Sequence, residues 1–159
     1  IVRLKSGDGG LFGRLEEELV ALTEAGIPYE IIPGVASPLA AAAEAGIPLT
    51  RRMSARRVQF VTGHDVSGQL PRDLDLAALA DPLACTVIFM GKRTFPVLAE
   101  RLMAHGLPGD TPAMLAEAVS TPAQKVTRFT VETLAAHLSD VTTSTPALIF
   151  YGALAEMVE

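Results

Sequence analysis

Short apolar runs bounded by glycine and proline alternate with amphipathic stretches along this chain, and that alternation confines it to α/β layering. Ile1 to Lys5 reads as a strand and Ser6 to Phe12 as a glycine-rich turn. A helix is expected from Arg14 to Ala25, with Leu15, Leu19 and Leu22 on one face and Gly26 as its stop. Ile27 to Ile32 reads as a second strand, ended by Pro33-Gly34. Ser37-Pro38 is a helix start, a hydroxyl followed by proline at the first helical position, and Gly46 stops the alanine run that ends at Ala45.

Residues 47 to 57 are polar and basic without a clear period, so a linker is expected there, its centre at residues 51 to 57. The alternation then restarts. Val58 to Thr62 reads as a strand, followed by an Asp-rich helix near residues 73 to 80 and a strand at residues 85 to 90. A helix from Thr94 to His105 is closed by Gly106, and strands are expected near residues 113 to 118 and 124 to 129. Thr130 caps a helix to Leu138, and Ala147 to Tyr151 is a closing apolar strand.

With 159 residues, of which 49% are hydrophobic and 19% charged, the chain has the composition of a globular protein with a real core. No apolar stretch reaches the roughly 18 to 20 residues that span a bilayer, so no membrane partner is expected. A net charge of −5 argues against a nucleic-acid partner, because phosphate binding needs a basic footprint. Cys85 is the lone cysteine, set in an apolar run; it reads as a buried space-filler, and a reducing cytoplasm fits a chain without a disulfide framework. No metal-ligand spacing occurs. His105 and His137 fall near expected helix ends, where an imidazole interacts favourably with the dipole.

The chemistry-bearing segment is Leu-Lys-Ser-Gly-Asp-Gly-Gly-Leu-Phe-Gly-Arg, residues 4 to 14. Glycines directly after a strand let backbone groups approach a ligand closely, and an acidic residue there can accept hydrogen bonds from hydroxyl or amino groups. It is not a dinucleotide fingerprint, since the third required glycine falls on Phe12, nor a phosphate loop, since no Gly-Lys-Ser/Thr closes it. Spacing alone favours an ordinary strand-to-helix turn.

Residues 3 to 18, Arg-Leu-Lys-Ser-Gly-Asp-Gly-Gly-Leu-Phe-Gly-Arg-Leu-Glu-Glu-Glu, resemble a signature of the tetrapyrrole methylases, in particular the uroporphyrinogen-III C-methyltransferases. That signature runs Arg-Leu-Lys-Gly-Gly-Asp-Pro-x-x-Phe-Gly-Arg-Gly-x-Glu-Glu. Ser6, Gly9 and Leu15 depart from it. Further blocks follow in the family's order: Ile-Pro-Tyr-Glu-Ile-Ile-Pro-Gly-Val-Ala-Ser (27 to 37), Ala-Gly-Ile-Pro-Leu-Thr-Arg-Arg (45 to 52), Phe-Val-Thr-Gly-His (60 to 64), Phe-Met-Gly (89 to 91) and Pro-Ala-Leu-Ile (146 to 149).

The resemblance implies the C-terminal part of a first α/β domain at residues 1 to 50, the linker at 51 to 57, and a second α/β domain with a mixed sheet at 58 to 159. It implies that further βα units precede Ile1 in the parent protein, that the acid/base residues lie there, and that this polypeptide alone is inactive. No catalytic residue is therefore assigned. It implies S-adenosyl-L-methionine as methyl donor, with S-adenosyl-L-homocysteine as product, held largely by backbone groups in a cleft between two domains. Position by position the contacts would be Ser6, Gly7, Asp8, Leu11, Ala36, Ser37 and Met90, with Val119 and Ala147 aligned by spacing. Met90 and Ala147 would equally serve as core packing.

The implied reaction is methylation of uroporphyrinogen III to precorrin-2, the precursor of sirohaem and cobalamin, by a homodimer. Two other readings stay open: a methyltransferase of the same fold acting on a later precorrin, or a non-catalytic dimerising domain with half a cofactor site. The Val-Thr-Gly-His block favours the first-step enzyme, although His64 itself has no assigned role. Arg51, Arg52, Arg56 and Arg57 supply four of the 13 basic residues within seven positions. By themselves they read as a solvated face; beside a polycarboxylate macrocycle they read as its binding patch.

Overall fold

The computed structural model describes residues 1–140 and 144–154. A five-stranded sheet organises it, with strands β1 (Arg57–Thr62), β2 (Ala84–Phe89), β3 (Pro112–Glu117), β4 (Lys125–Thr130) and β5 (Ala147–Gly152) in the order β1-β2-β5-β3-β4. β1 and β2 are parallel, while β5 runs antiparallel to both β2 and β3, and β3 antiparallel to β4. The sheet is therefore mixed, and β1, β2 and β3 all point the same way.

Strict alternation along the central strands divides the core in two. Ile88, Leu115, Ile149 and Tyr151 face one side, where they pack against Phe95, Leu98 and Leu102 of α4 (Phe95–Ala104) and Val131, Leu134 and Leu138 of α5 (Val131–Ser139). Cys85, Val87, Met114, Ala116, Leu148 and Phe150 face the other, where Ala41 and Ala42 of α2 (Ser37–Glu44) join Ala45, Ile47 and Leu49. Both faces are covered, which is why β2 and β5 read as continuous apolar runs rather than as alternating ones. The Tyr151 hydroxyl donates to the Leu79 carbonyl oxygen at 2.9 Å, and burial pushes its phenol pKa up. Cys85 is buried as expected, and burial raises its thiol from the usual 9.0 to about 11.

One expected helix start is a physical cap and one is not: Ser37, expected to open α2 with its hydroxyl, is the first residue of the helix after Ala36, and no side chain caps that end. Thr130 accepts from the Thr133 N–H in a reciprocal capping box at the start of α5. His105 occupies the C-terminal cap of α4, and His137 lies in the last turn of α5, stacked on Phe129. The helix expected near 73–80 is only the single turn α3 (Leu76–Leu79), because the Asp75 carboxylate accepts from Ala78 N–H and fixes the start after Asp75.

Residues 1–5 and 27–32, expected as strands, form none. A strand needs a neighbour to take its backbone hydrogen bonds, and no described segment is paired with either. Val2, Leu4, Ile31 and Ile32 are correspondingly exposed. Between them α1 (Leu15–Glu24) forms as expected, with Leu15, Leu19 and Leu22 half-buried. Side chains hold this part together: Lys5 Nζ donates to the Gly13 carbonyl at 2.8 Å and pairs with Glu18 at 2.7 Å, while Arg3 reaches the same carboxylate at 3.1 Å.

Candidate functional site

The carboxyl ends of β1, β2 and β3 lie along one edge of the sheet, the place where open α/β sheets bind ligands. Three non-glycine residues there adopt a left-handed backbone: Met90 (φ 55°) just past β2, and Ala118 (φ 47°) and Ser120 (φ 59°) just past β3. Such residues cost energy and mark positions over-determined by their surroundings. Gly63, immediately after β1, and Gly91, two residues past the end of β2, lie so close that a Cβ on Gly63 would collide with the Gly91 backbone. Gly63 N–H donates to Phe89 O at 2.7 Å, and the buried Thr94 hydroxyl donates to Gly63 O at 2.5 Å.

The start of β5 arrives at the same edge. Register pairs Phe89 with Leu148 and Glu117 with Ala147, and Ala118 N–H donates to Pro146 O at 2.9 Å. Met90, Val119 and Ala147, remote in sequence, are thus gathered at one end of three strands. Val119 also packs against the core cluster that contains α2.

The glycine-rich segment meets this edge through Phe12, whose ring lies 4.8 Å from that of Phe89. Asp8 organises the segment. One carboxylate oxygen accepts from Gly10 N–H and the other from Gly34 N–H, both at 2.8 Å. These backbone donors, Gly34 foremost, hold the Asp8 pKa below the usual carboxylate value. The second bond ties the turn to the Pro33-Gly34 corner across 26 residues, an approach that requires glycine at 34, since a Cβ there would strike the Gly7 carbonyl. Gly7 adopts φ 72°, and a Cβ there would lie 3.1 Å from the Ser37 hydroxyl oxygen. Gly7 and Asp8 are thereby brought to the segment Gly34 to Ser37, where α2 begins without a side-chain cap, and Leu11 N–H donates to Asp8 O at 3.4 Å within the turn.

The arginines are elsewhere. Arg57 opens β1 and pairs in register with Ala84, so the cluster lies at the opposite end of a six-residue strand, about 17 to 20 Å from the edge just described. Arg57 is paired with Asp81, and Arg51 donates to the carbonyls of Ala153 and Leu154 at 3.1 Å each. Arg56 donates to Arg52 O at 3.0 Å, and Arg52 is exposed. The structure does not bring these four side chains to the strand ends that gather the others. His64 does lie at that edge, just past β1, with Nδ1 2.9 Å from Asp65 O.

Sequence reasoning missed Lys92 and Glu117. They form an ion pair at 2.7 Å with side chains only 12% and 20% exposed, between the ends of β2 and β3. The signal existed only in their positions two residues after Met90 and two before Val119.

A groove of about 460 Å³ runs along α1 past Leu15, Leu19 and Val20, and another of about 410 Å³ separates α2 from β1 near Leu39, Ile47 and Phe60. Neither is lined by Asp8, Met90 or Ala147. Among the described residues no cluster of acidic, histidine or cysteine side chains suits a metal, and no helix is long and apolar enough to cross a membrane.

A family model for Tetrapyrrole (Corrin/Porphyrin) Methylases matches residues 1–135. The chain belongs to the tetrapyrrole methylase family. Among curated proteins it is 41% identical over 159 residues to siroheme synthase 1 of Aeromonas hydrophila, covering all of this chain and 34% of the relative. It is 40% identical over 157 residues to the chloroplastic S-adenosyl-L-methionine-dependent uroporphyrinogen III methyltransferase of Arabidopsis thaliana, covering 99% and 42%. The uroporphyrinogen-III C-methyltransferase of Paracoccus denitrificans is 38% identical, with 100% and 55% covered. The chain thus spans from a third to just over half the length of these relatives.

Among solved tetrapyrrole methylases, the uroporphyrin-III C-methyltransferase of Thermus thermophilus complexed with S-adenyl homocysteine superposes with a TM-score of 0.80 at 34% identity, covering 96% of this chain and 65% of that one. A cobalt precorrin-4 methyltransferase gives the same TM-score at 27% identity, covering 92% and 61%. The expected mixed α/β architecture of the family is the one observed.

Proposed function

We propose that this chain supplies part of the donor-binding cleft of an S-adenosyl-L-methionine-dependent enzyme that C-methylates uroporphyrinogen III to precorrin-2. The observation that carries the reading is the Asp8–Gly34 tie, which folds the Gly7-Asp8 turn onto Ala36-Ser37 while Phe12 docks both on the end of β2. The residues present fit the donor. Small side chains at Gly7, Ala36 and Ala147 leave room for a nucleoside, and the left-handed backbones at Met90 and Ala118 redirect main-chain groups at the strand ends. The neutralised Lys92–Glu117 pair places no net charge against a sulfonium.

When bound, the donor supplies an electrophilic methyl group for an electron-rich pyrrole carbon. The task of Gly7, Asp8, Ala36, Ser37, Met90, Val119 and Ala147 is to fix its orientation. Holding the reacting carbons in line supplies much of the acceleration, and 1 Å of misplacement costs about a hundredfold. Uroporphyrinogen III is favoured over a later precorrin because the superposed uroporphyrin-III C-methyltransferase is 34% identical, against 27% for the precorrin-4 neighbour. A cytoplasmic homodimer is the setting this reading implies.

The test is incubation of the full-length protein with methyl-labelled donor and uroporphyrinogen III under reducing conditions. Label in the macrocycle with one S-adenosylhomocysteine released per methyl is the expected result. Label entering only a later precorrin would replace the substrate, and S-adenosylhomocysteine failing to bind would remove the methyltransferase reading.

A further inference from the structure

The Lys92–Glu117 ion pair lies in the middle of the second set of candidate contacts. Lys92 follows Met90 by two residues, Glu117 precedes Val119 by two, and Glu117 is the register partner of Ala147. Lys92 lies three residues past the end of β2 and Glu117 is the last residue of β3; these strands are not neighbours, β5 lies between, and the pair spans it at its first residue. Glu117 is followed at once by the left-handed Ala118, whose N–H donates to Pro146 O at 2.9 Å. Lys92 is preceded by Gly91, whose carbonyl accepts from Thr94 N–H at 3.1 Å as the chain enters α4. A single contact of 2.7 Å therefore joins the exit turn of β2, the exit of β3 and the entry to β5.

Those are the segments that carry Met90, Val119 and Ala147, and each offers a ligand mainly its backbone. Backbone groups cannot be re-aimed by a rotamer change; they move only when the turn moves. A lysine and a glutamate that are largely withdrawn from water are held to each other because either one left alone keeps its desolvation cost without its partner. Resting on the methyl-donor reading above, we infer that Lys92 and Glu117 are positioning residues. Their pairing sets the spacing of the strand-end turns and hence the affinity for the nucleoside donor, without contributing a reacting group.

Two physical roles are separable by ligand charge. S-adenosylmethionine carries a sulfonium cation and S-adenosylhomocysteine a neutral thioether. If the pair acts by geometry, breaking it weakens both ligands alike; if Glu117 acts as a counter-charge, removing Lys92 frees it and tightens the cation relative to the thioether.

The experiment uses the full-length protein and measures dissociation constants for both ligands, the melting temperature, and KM and kcat for the donor. The variants are Lys92→Met, Glu117→Gln, Lys92→Arg, and the exchanged pair Lys92→Glu with Glu117→Lys. Lys92→Met and Glu117→Gln are expected to weaken both ligands by about tenfold, short of the hundredfold of a 1 Å displacement. KM should rise more than kcat falls. Lys92→Arg, which keeps the charge but changes the fit, should lose affinity without losing the fold, and the exchanged pair should recover most of the binding. A folded Lys92→Met protein with wild-type affinity overturns the inference. So does a variant whose melting temperature falls while its ligand affinities stay, and so does a gain of S-adenosylmethionine over S-adenosylhomocysteine. A wild-type protein that binds neither ligand sinks the methyl-donor reading itself, which is a separate result.

Discussion

In the β1–β5 sheet the backbone is held by its neighbours, whereas between Ile1 and Ala36 it is held by side chains and one helix. The sheet buries Phe150, Ile149 and Tyr151 completely and joins them through ladders on both sides of β5. The first region leaves Ile31 half-exposed and Ile32 three-quarters exposed, and depends on Lys5, Asp8 and Phe12 for its shape. Both regions contain apolar, β-branched runs ended by glycine or proline. The contrast shows that such a run specifies a strand only jointly with a partner, while a glycine-rich turn with an internal carboxylate can hold its geometry without a ladder.

The sharpest way to break this comparison is at its most buried point. Phe150→Ala should destabilise the chain by about 3 to 5 kcal/mol, because the ring is fully enclosed between the sheet and α2. Denaturant unfolding followed by circular dichroism measures it, and a loss below about 1 kcal/mol would mean that this face of the core is loosely packed.

Cys85 reports the same region without altering it. With its thiol raised to about 11 from 9.0, its thiolate population near pH 8 is about a hundredfold below that of an ordinary cysteine. A disulfide reagent should therefore label it slowly in the folded chain and rapidly in denaturant. Rapid labelling under native conditions would contradict the burial of β2.

Asp8 is the corresponding probe of the first region. Asp8→Asn should lower affinity for S-adenosylhomocysteine about tenfold, since a charged acceptor of two backbone N–H groups is replaced by a neutral one. Melting of the sheet should be unchanged. The sign of the pH effect follows from the lowered pKa. The carboxylate's contribution is complete above its ordinary value of 3.8 and is lost as pH falls through the lower folded value. Affinity should accordingly be insensitive to this group at neutral pH and decline only in strong acid. A wild-type affinity in Asp8→Asn would detach the turn from the ligand site.

The smallest effect is expected at Ile31→Ser. Its side chain is already 50% exposed and belongs to no ladder, so stability of the 159-residue chain should change by no more than about 0.5 kcal/mol. A larger loss would show that residues 27–32 are packed after all.

The sheet and its helices were legible where the sequence itself sets the period and the punctuation. Apolar runs at Ala84–Phe89 and Ala147–Gly152, the Thr130 cap and Gly106 each act through local physics. Strand order was not legible, because the insertion of β5 between β2 and β3 is decided by burial on both faces and leaves no local mark. The same insertion hid Lys92–Glu117, whose partners stand 25 residues apart, one past the end of β2 and one at the end of β3, strands that do not touch. Asp8 was singled out as a residue able to accept hydrogen bonds, but its tie to Gly34 depends on a distant glycine that reads in sequence as an ordinary turn. The arginines are the opposite case. Their clustering in sequence is real, yet β1 carries them to the far end of the sheet, and two of them are engaged by Asp81 and by the carbonyls of Ala153 and Leu154.

The central claim is that the carboxyl ends of β1, β2 and β3, closed by the Gly7-Asp8 turn and the start of α2, form one wall of a nucleoside-binding cleft. A crystal structure of the full-length protein grown with S-adenosylhomocysteine tests it most directly. The account predicts ligand density against the backbone of Gly7, Asp8, Ala36, Ser37, Met90 and Ala147, with the Asp8–Gly34 bond intact. Density at the arginine end of the sheet, or in the groove along α1, would contradict it.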